Sequence, residues 1–430
     1  MHDVYVTPVR EISPEWVARV TGGRVHPPVR PALDLTWDSR KVRPGAAFVA
    51  LPGAQVHGRG FAQAALQAGA AFVITDQAHP GAVEVTDPAQ ALLELGHALR
   101  EEFSGTVVGV GGSSGKTTTK EALAQGLGWP APEGNLNNAP GLAQFFFRLE
   151  PQAPGAVVEL GIDRLGEMAE LCYLARPHLG VLTTLGAEHL EGLEGLENAI
   201  REESRLLASS PVRLASTQAA GLVDLPGLRT YGIEEGDFRA TDLELGLDST
   251  RFRFHGRAVH LPYPGFGPLL GALAALAVAE LLGVELEPVI ERLAGLRLPF
   301  GRMERLEKGG LIFLNDAYNS NPVSVRAGLE SLRHLPGRKW LVLGEMRELG
   351  EESLAYHLEA ARLAISVSPY TVFVGQYAPA QAAETGGVGL ETPEEARAYL
   401  KTHTQAGDLV YLKASRSVRL ERILEGWDEE

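Results

Sequence analysis

The stretch Gly109-Val110-Gly111-Gly112-Ser113-Ser114-Gly115-Lys116-Thr117-Thr118-Thr119 constrains this chain more than any other. An apolar run, Thr106-Val107-Val108-Gly109-Val110, leads into it and reads as a buried strand. Residues 120–127 follow, with Leu123 and Leu127 about one helical turn apart, and read as a helix. Strand, glycine-rich turn, Lys-Thr and helix together make a phosphate-binding loop. Glycine lets the backbone curl until successive N–H groups face one anion, and the helix start adds the positive end of its dipole. Gly112, Ser113, Ser114, Gly115, Lys116, Thr117 and Thr118 are therefore the candidate nucleotide-binding residues. Lys116 is placed to meet the β- and γ-phosphates and Thr117 to bind Mg²⁺. Val110 stands where the usual pattern has its first glycine, so the spacing here is GxxGxxGKTT, with Gly109, Gly112 and Gly115.

Around this loop the chain reads as three α/β units. Residues 1–103 form a small one: a helix begun by Ser13 and Pro14, short strands at 33–36, 47–51 and 71–75, and a helix at 87–103. Residues 104–298 hold the phosphate loop on a mainly parallel sheet, with weakly alternating antiparallel strands between 238 and 261. Strands at 156–161 and 180–184 bring Glu159 and His189 to the carboxyl edge, where parallel sheets bind ligands. A carboxylate suits Mg²⁺ better than an imidazole does, since magnesium prefers oxygen. Leu298-Pro299-Phe300-Gly301 looks like a linker. Residues 299–430 alternate strand and helix again and read as a Rossmann-like domain without a GxGxxG loop. Polar clusters follow its strands at 315–322, 344–350 and 413–416, which argues for a second ligand-binding edge.

Composition narrows the class. A chain of 430 residues is too long for one core. A net charge of −15 gives no reason to expect nucleic acid or an anionic membrane as partner. Cys172 is the single cysteine, so no intramolecular disulfide can form and the cytoplasm is the natural compartment. It sits in Leu171-Cys172-Tyr173-Leu174 and reads as a buried, inert thiol. Asp3, Arg10 and Glu11 near the start leave no apolar core for a signal peptide. The apolar run at 269–282 is too short to span a bilayer and reads as a buried helix. No Asn-Lys-x-Asp guanine motif is present, which disfavours a regulatory GTPase. The residues alone stop at an ATP-using transferase or ligase.

Nearly the whole chain resembles the Mur ligases, and within them the MurF type. The resemblance rests on residues 112–118, on Asp38-Ser39-Arg40 with Pro44-Gly45, and on Gly134-Asn135-Leu136-Asn137-Asn138. It rests further on Glu159-Leu160-Gly161, on Gly186-Ala187-Glu188-His189-Leu190-Glu191, and most specifically on Asn315-Asp316-Ala317-Tyr318-Asn319-Ser320-Asn321-Pro322. The resemblance implies an ATP- and Mg²⁺-dependent amide ligase. It would join D-alanyl-D-alanine to UDP-MurNAc-tripeptide through an acyl phosphate, in the cytoplasm and as a monomer. It assigns catalysis to Lys116, Glu159 and His189, and metal binding to Thr117, Glu159, His189 and Glu203. Arg302, Asn315, Asp316 and Asn319 would contact ATP from the third domain. Ser39, Arg40, Asn135, Asn137, Asn138, Lys413, Ser415 and Arg416 would hold substrate. The three units would be a UDP-MurNAc-peptide-binding domain (1–103), a central ATP-binding domain (104–298) and a Rossmann-like ligase domain (299–430).

The chain departs from the family pattern in four places. Gly267 and Gly271 stand for the His and Asn of an adenine-contacting stretch. Thr184 replaces an Asn, and His57 and Arg59 replace the Asp and His of Asp-Gly-His. Glu203 falls where relatives carbamylate a lysine, and a glutamate is an anion without modification. The rivals are the third-residue-adding Mur ligase, a folylpolyglutamate synthetase, and a nucleotide-switched binding protein without ligase chemistry. The Asn-rich segments at 135–138 and 315–321 speak against the first two.

Overall fold

In the computed structural model, residues 10–53 and 56–427 are described, so Asp3 lies outside the described residues. Three mainly parallel sheets follow one another along the chain. The first runs, in spatial order, Arg24–His26, Ala82–Glu84, Phe72–Thr75, Ala46–Val49, Asp34–Thr36. Only Arg24–His26 is antiparallel to its neighbour. The central sheet has eight strands and ends in Leu179–Leu182, Thr106–Gly111 and Gly155–Glu159. These three are parallel, so their carboxyl ends share one edge. Thr250–Phe254 and Arg257–Leu261 extend the far side antiparallel, whereas Phe238–Leu245 also pairs parallel with Leu228–Ile233. The third sheet is parallel except for the antiparallel edge strand Glu304–Lys308.

The phosphate-loop helix, Lys116–Leu127, begins four residues earlier than its apolar spacing suggests. Its first turn is Lys-Thr-Thr-Thr, whose helical state is fixed by the loop rather than by propensity. It packs on Phe266–Leu281, a helix buried on nearly every face. Gly271 makes the approach possible, since a Cβ there would stand 3.2 Å from the Thr118 carbonyl oxygen. No helix among the described residues is long and apolar enough to cross a membrane.

The first unit does not keep its core to itself. Its helix Pro88–Glu101 lies against Ala139–Arg148 and Glu167–Ala175 of the central unit, and Leu92, Leu95, Phe146 and Leu171 belong to one buried cluster. Gly96 sits at the contact, where a Cβ would come within 2.7 Å of Leu174. Arg148 adds an ion pair to Asp34 at 2.8 Å across the same seam. Short or charged strands escaped the sequence pattern: Arg24–His26, Ala82–Glu84 and Val388–Leu390 have three residues each, and Glu304–Lys308 is mostly charged because it is an edge.

In the third unit Pro322–His334 lies over the sheet, with Gly328 facing Tyr411; a Cβ at Gly328 would stand 2.0 Å from the Tyr411 hydroxyl oxygen. Gly328→Ala is therefore expected to lower stability by about 1–3 kcal/mol through overpacking. Tyr411→Phe in the same chain should restore part of the loss. Denaturant unfolding of the single and double variants checks this; a double variant no more stable than Gly328→Ala alone would contradict the contact.

Candidate active site

The phosphate loop is clamped from the neighbouring strand. Thr183 Oγ1 donates to the Ser114 carbonyl at 2.6 Å, and the Ser113 N–H donates to the Thr184 carbonyl at 2.7 Å. Thr184 Oγ1 also donates to Ser114 O at 3.0 Å. Gly112 has φ +121° and a Cβ there would lie 2.2 Å from Thr183 Oγ1, so glycine is required on both counts. Gly115, at φ +86°, precedes the helix without a side-chain cap. The orphan N–H groups of that helix start lie at a cleft lined by residues 113–118.

The cleft has a volume of about 420 Å³, within the usual range for a ligand site. Several of the residues singled out in the sequence line it together: Lys116, Thr117, Glu159 and His189; Asn135, Asn137 and Asn138; and Arg302, Asp316, Asn319 and Lys413 from the third unit. The third unit is drawn onto the loop by named bonds. Arg302 donates to Thr117 Oγ1 at 2.9 Å and lies 4.5 Å over the Tyr318 ring. Tyr318 donates to Asn135 Oδ1 at 2.6 Å, and Asn321 Nδ2 to the Ser113 carbonyl at 2.9 Å. His189, at φ +49°, pairs through Nδ1 with the Glu348 carboxylate, and the Leu190 N–H donates to Glu348 O at 3.0 Å.

Lys116 is the electrostatic centre. Its Nζ donates to the Gly112 carbonyl at 2.6 Å and to Glu188 Oε2 at 2.9 Å, with Glu203 Oε1 at 4.0 Å. Burial opposes its charge, but Glu188 and Glu203, with Glu159 behind them, outweigh burial and hold the ammonium above the usual lysine range. Glu188 was not singled out by itself in the sequence; an acid beside His189 just past a strand end was the available signal.

Glu203 is placed differently from its expectation as a metal ligand. It is 2 % exposed, beneath the loop, and not among the cleft's lining residues. Its Oε2 accepts the Gly112 N–H at 2.7 Å. Burial, opposed by Lys116, pushes its carboxyl up to about 7. Asn315 is also off the cleft: it is fully buried, with Nδ2 on Glu304 Oε2 at 3.1 Å and Oδ1 accepting the Ala317 N–H at 3.3 Å. Ser415 is buried and bonded to Ser320 O and the Arg347 N–H, while Arg416 pairs outside with Glu421. Neither lines the cleft, and neither do Ser39 and Arg40, which form a short turn where Arg40 is engaged by Asp38 at 2.9 Å. Gly112 lies just behind the lining.

The donor set fits Mg²⁺. Glu159 Oε1 accepts a hydrogen bond from Asn137 Nδ2 at 3.0 Å, and its Oε2 is buried without a hydrogen-bond partner. Thr117 supplies a second hard oxygen. No group of three or more His, Cys, Asp or Glu that could hold a metal occurs among the described residues. A magnesium ion bound here takes its remaining ligands from water and phosphate, as that ion commonly does. Cys172 is buried and its thiol is pushed up by burial to about 11, an inert group.

A phosphate loop under a third α/β unit, with an arginine reaching across to the loop threonine, defines a nucleotide-site protein of three units, the second and third of which meet at one cleft. Family models match in the same order: the Mur ligase family catalytic domain over residues 34–101, the Mur ligase middle domain over 110–279, and the Mur ligase glutamate ligase domain over 301–416. The chain belongs to the Mur ligase family. It is similar to the UDP-N-acetylmuramoyl-tripeptide–D-alanyl-D-alanine ligase of Treponema pallidum, at 32% identity over 90% of this chain and 92% of the relative. A crystal structure of MurF from Acinetobacter baumannii superposes with a TM-score of 0.88 at 28% identity, covering 99% of this chain and 100% of that one. MurF ligase from Thermotoga maritima in complex with ADP superposes with a TM-score of 0.83 at 31% identity, over 92% and 97%.

The Glu203 carboxyl, raised from 4.5 to about 7, favours its protonated form in the fold. That contribution is complete below pH 4.5 and lost as pH rises through about 7. Glu203→Gln keeps an acceptor for Gly112 without the charge. Between pH 5 and 8 the stability difference should therefore move in the variant's favour, by at most about 3 kcal/mol. Urea unfolding of both proteins across that range checks the sign; a constant difference would show that Glu203 does not titrate there.

Proposed function

We propose that this chain joins D-alanyl-D-alanine to UDP-N-acetylmuramoyl-tripeptide with conversion of ATP to ADP and phosphate. The observation that carries the reading is the cleft itself. Lys116 and Thr117 of the phosphate loop, Arg302 from the third unit and the Asn135–Asn138 segment meet there with Glu159. An ATP site and a polar second-substrate wall thus share one space. A nucleotide switch has no need of the second wall, and the relatives near 30% identity carry the name of this ligase.

In this reaction a carboxylate oxygen of the tripeptide attacks the γ-phosphorus and ADP leaves. The dipeptide amine then attacks the acyl carbon, phosphate leaves and the nitrogen loses a proton. Lys116 steadies negative charge at the β/γ-phosphates, and Arg302 holds the loop threonine and reaches the same phosphates. Such positioning and neutralisation make up most of phosphoryl-transfer catalysis. Thr117 and Glu159, with His189 on the same cleft, would hold Mg²⁺, which would neutralise phosphate charge. Asn137 aligns Glu159. Asp316 and Lys413, joined at 2.7 Å, and Asn319 shape the opposite wall. Residues 1–103 take the UDP end through Ser39 and Arg40, 104–298 take ATP, and 299–430 take the dipeptide. The cleft is complete within one chain, which supports a monomer, and the lone buried cysteine suits the reducing cytoplasm.

The test is phosphate release with UDP-MurNAc-tripeptide, ATP and Mg²⁺, with and without D-alanyl-D-alanine. Release should require the dipeptide. Lys116→Ala, losing one donor to developing charge, should be slowed at least about a hundredfold while remaining folded. Phosphate release indifferent to the dipeptide would overturn the ligase reading. Replacing Ser39 and Arg40 by Ala should raise KM for the UDP substrate and spare that for the dipeptide; the reverse pattern would exchange the roles of the outer units.

A further inference from the structure

The cleft continues past the phosphate loop into a chamber with small, apolar walls. One wall is the start of the helix Phe266–Leu281, set against the loop helix at Gly271 and Thr118. Gly267, one turn before Gly271, lines the cleft and has no heavy atom within 4 Å of where a Cβ would stand. Pro268 and Leu298 continue that wall, and Met303, Ala327 and Gly328 line it from the third unit. The other end of the cleft carries Glu159, Asp163 and Glu167. A flat apolar ring bonded to phosphates on the loop therefore belongs in the small apolar end.

The polar side chains at this end are already committed. Ser331 Oγ accepts the Phe266 N–H and donates to the Ala327 carbonyl, both at 2.9 Å. Ser324 Oγ accepts the Asn321 N–H at 3.0 Å and donates to the Asn321 carbonyl at 2.9 Å. Asn321 spends its own amide on the Ser113 carbonyl and the Ser324 N–H. The Asp316 carboxylate takes Lys413, the Tyr411 hydroxyl and the Met303 N–H. Asn319 Oδ1 accepts the Ser320 N–H at 2.8 Å, and Arg302 has donors only. At this end each of these side-chain acceptors is already engaged within the protein, so among the described residues none of them stands unpartnered for the 6-amino group of adenine.

We infer that the base is held here by shape and apolar contact, with no side chain reading its 6-substituent, and that the enzyme uses 6-oxo purine triphosphates as well as ATP. This rests on the ligase reading above. An apolar pocket discriminates between look-alikes by up to about a hundredfold, whereas a site with a dedicated hydrogen bond rejects by about ten-thousandfold.

The experiment measures kcat/KM for ATP and for inosine triphosphate by phosphate release, with UDP-MurNAc-tripeptide, D-alanyl-D-alanine and Mg²⁺ at saturation. Inosine triphosphate should fall within about a hundredfold of ATP. A larger gap overturns the inference while leaving the ligase reading intact; no dipeptide-dependent turnover with either triphosphate overturns the ligase reading itself. Gly267→Asn places an amide, with its acceptor, in the open position. It should widen the ATP-to-inosine ratio by about fivefold or more, the worth of one neutral hydrogen bond. If that variant loses turnover, the relative binding of ADP and inosine diphosphate carries the same comparison. An unchanged ratio means that the base lies elsewhere, and overturns the inference.

Discussion

The site depends on one buried cation. Lys116 lines the cleft with Glu188 at 2.9 Å, Glu203 at 4.0 Å and Glu159 beyond. Glu188 holds the ammonium directly, while burial raises the Glu203 carboxyl to about 7 and so eases the crowding of acids around it. Burying such charges is costly unless each is paired and hydrogen-bonded. The fold meets that requirement partly from within: Gly112 gives its N–H to Glu203 and its carbonyl to Lys116, and Asn137 bonds Glu159. What remains is Glu159 Oε2, buried without a partner, on the cleft that the loop threonine Thr117 also lines. An unpartnered carboxylate oxygen at a phosphate loop is the kind of hard donor that a divalent cation fits.

The second dependence is on the third unit. Its contacts with the loop are made by side chains at the carboxyl edge of its sheet and by the segment after the linker. Met303, Glu348 and, opposite them, His189 have φ of 52°, 63° and 49°, a region that non-glycine residues seldom occupy. All three stand at the junction of the two units. Such conformations persist where surrounding contacts over-determine them, and here those contacts are Arg302 to Thr117, Asn321 to Ser113 and Leu190 to Glu348. The strain and the catalytic cleft therefore belong to the same docked arrangement. The first unit is tied in differently, through an apolar seam around Gly96 and the Asp34–Arg148 pair.

Residues that look alike in the sequence do unlike work. Asn138 and Asn321 cap helices, accepting the Gly141 and Ser324 N–H groups, and line the cleft as well. Asn315, in the most specific motif of the chain, supports the turn from within. Asn135 is the partner of Tyr318 across the units. An asparagine-rich segment is thus partly a device for turning the chain and partly a binding surface, and only the partners of each amide tell which.

The amino-acid sequence by itself determined the phosphate loop, the three α/β units and the strand ends bearing Glu159 and His189. Each of these is a local pattern: apolar runs bounded by glycine, caps of Ser or Asp before proline, and polar clusters just after strands. Short and charged strands such as Glu304–Lys308 left no such pattern, because an edge pairs on one side only and need not be apolar. The tertiary structure alone decided what meets across long separations. Glu203 follows Gly112 by ninety-one positions and Arg302 follows Thr117 by one hundred and eighty-five, and no periodicity records such pairs. It set Glu203 beneath the loop as the acceptor of the Gly112 N–H, brought Glu188 to Lys116, and left Gly267 facing open space. The physical reason is that hydrogen bonds and ion pairs are made by distance and direction in space, which a chain fixes only when its cores have packed.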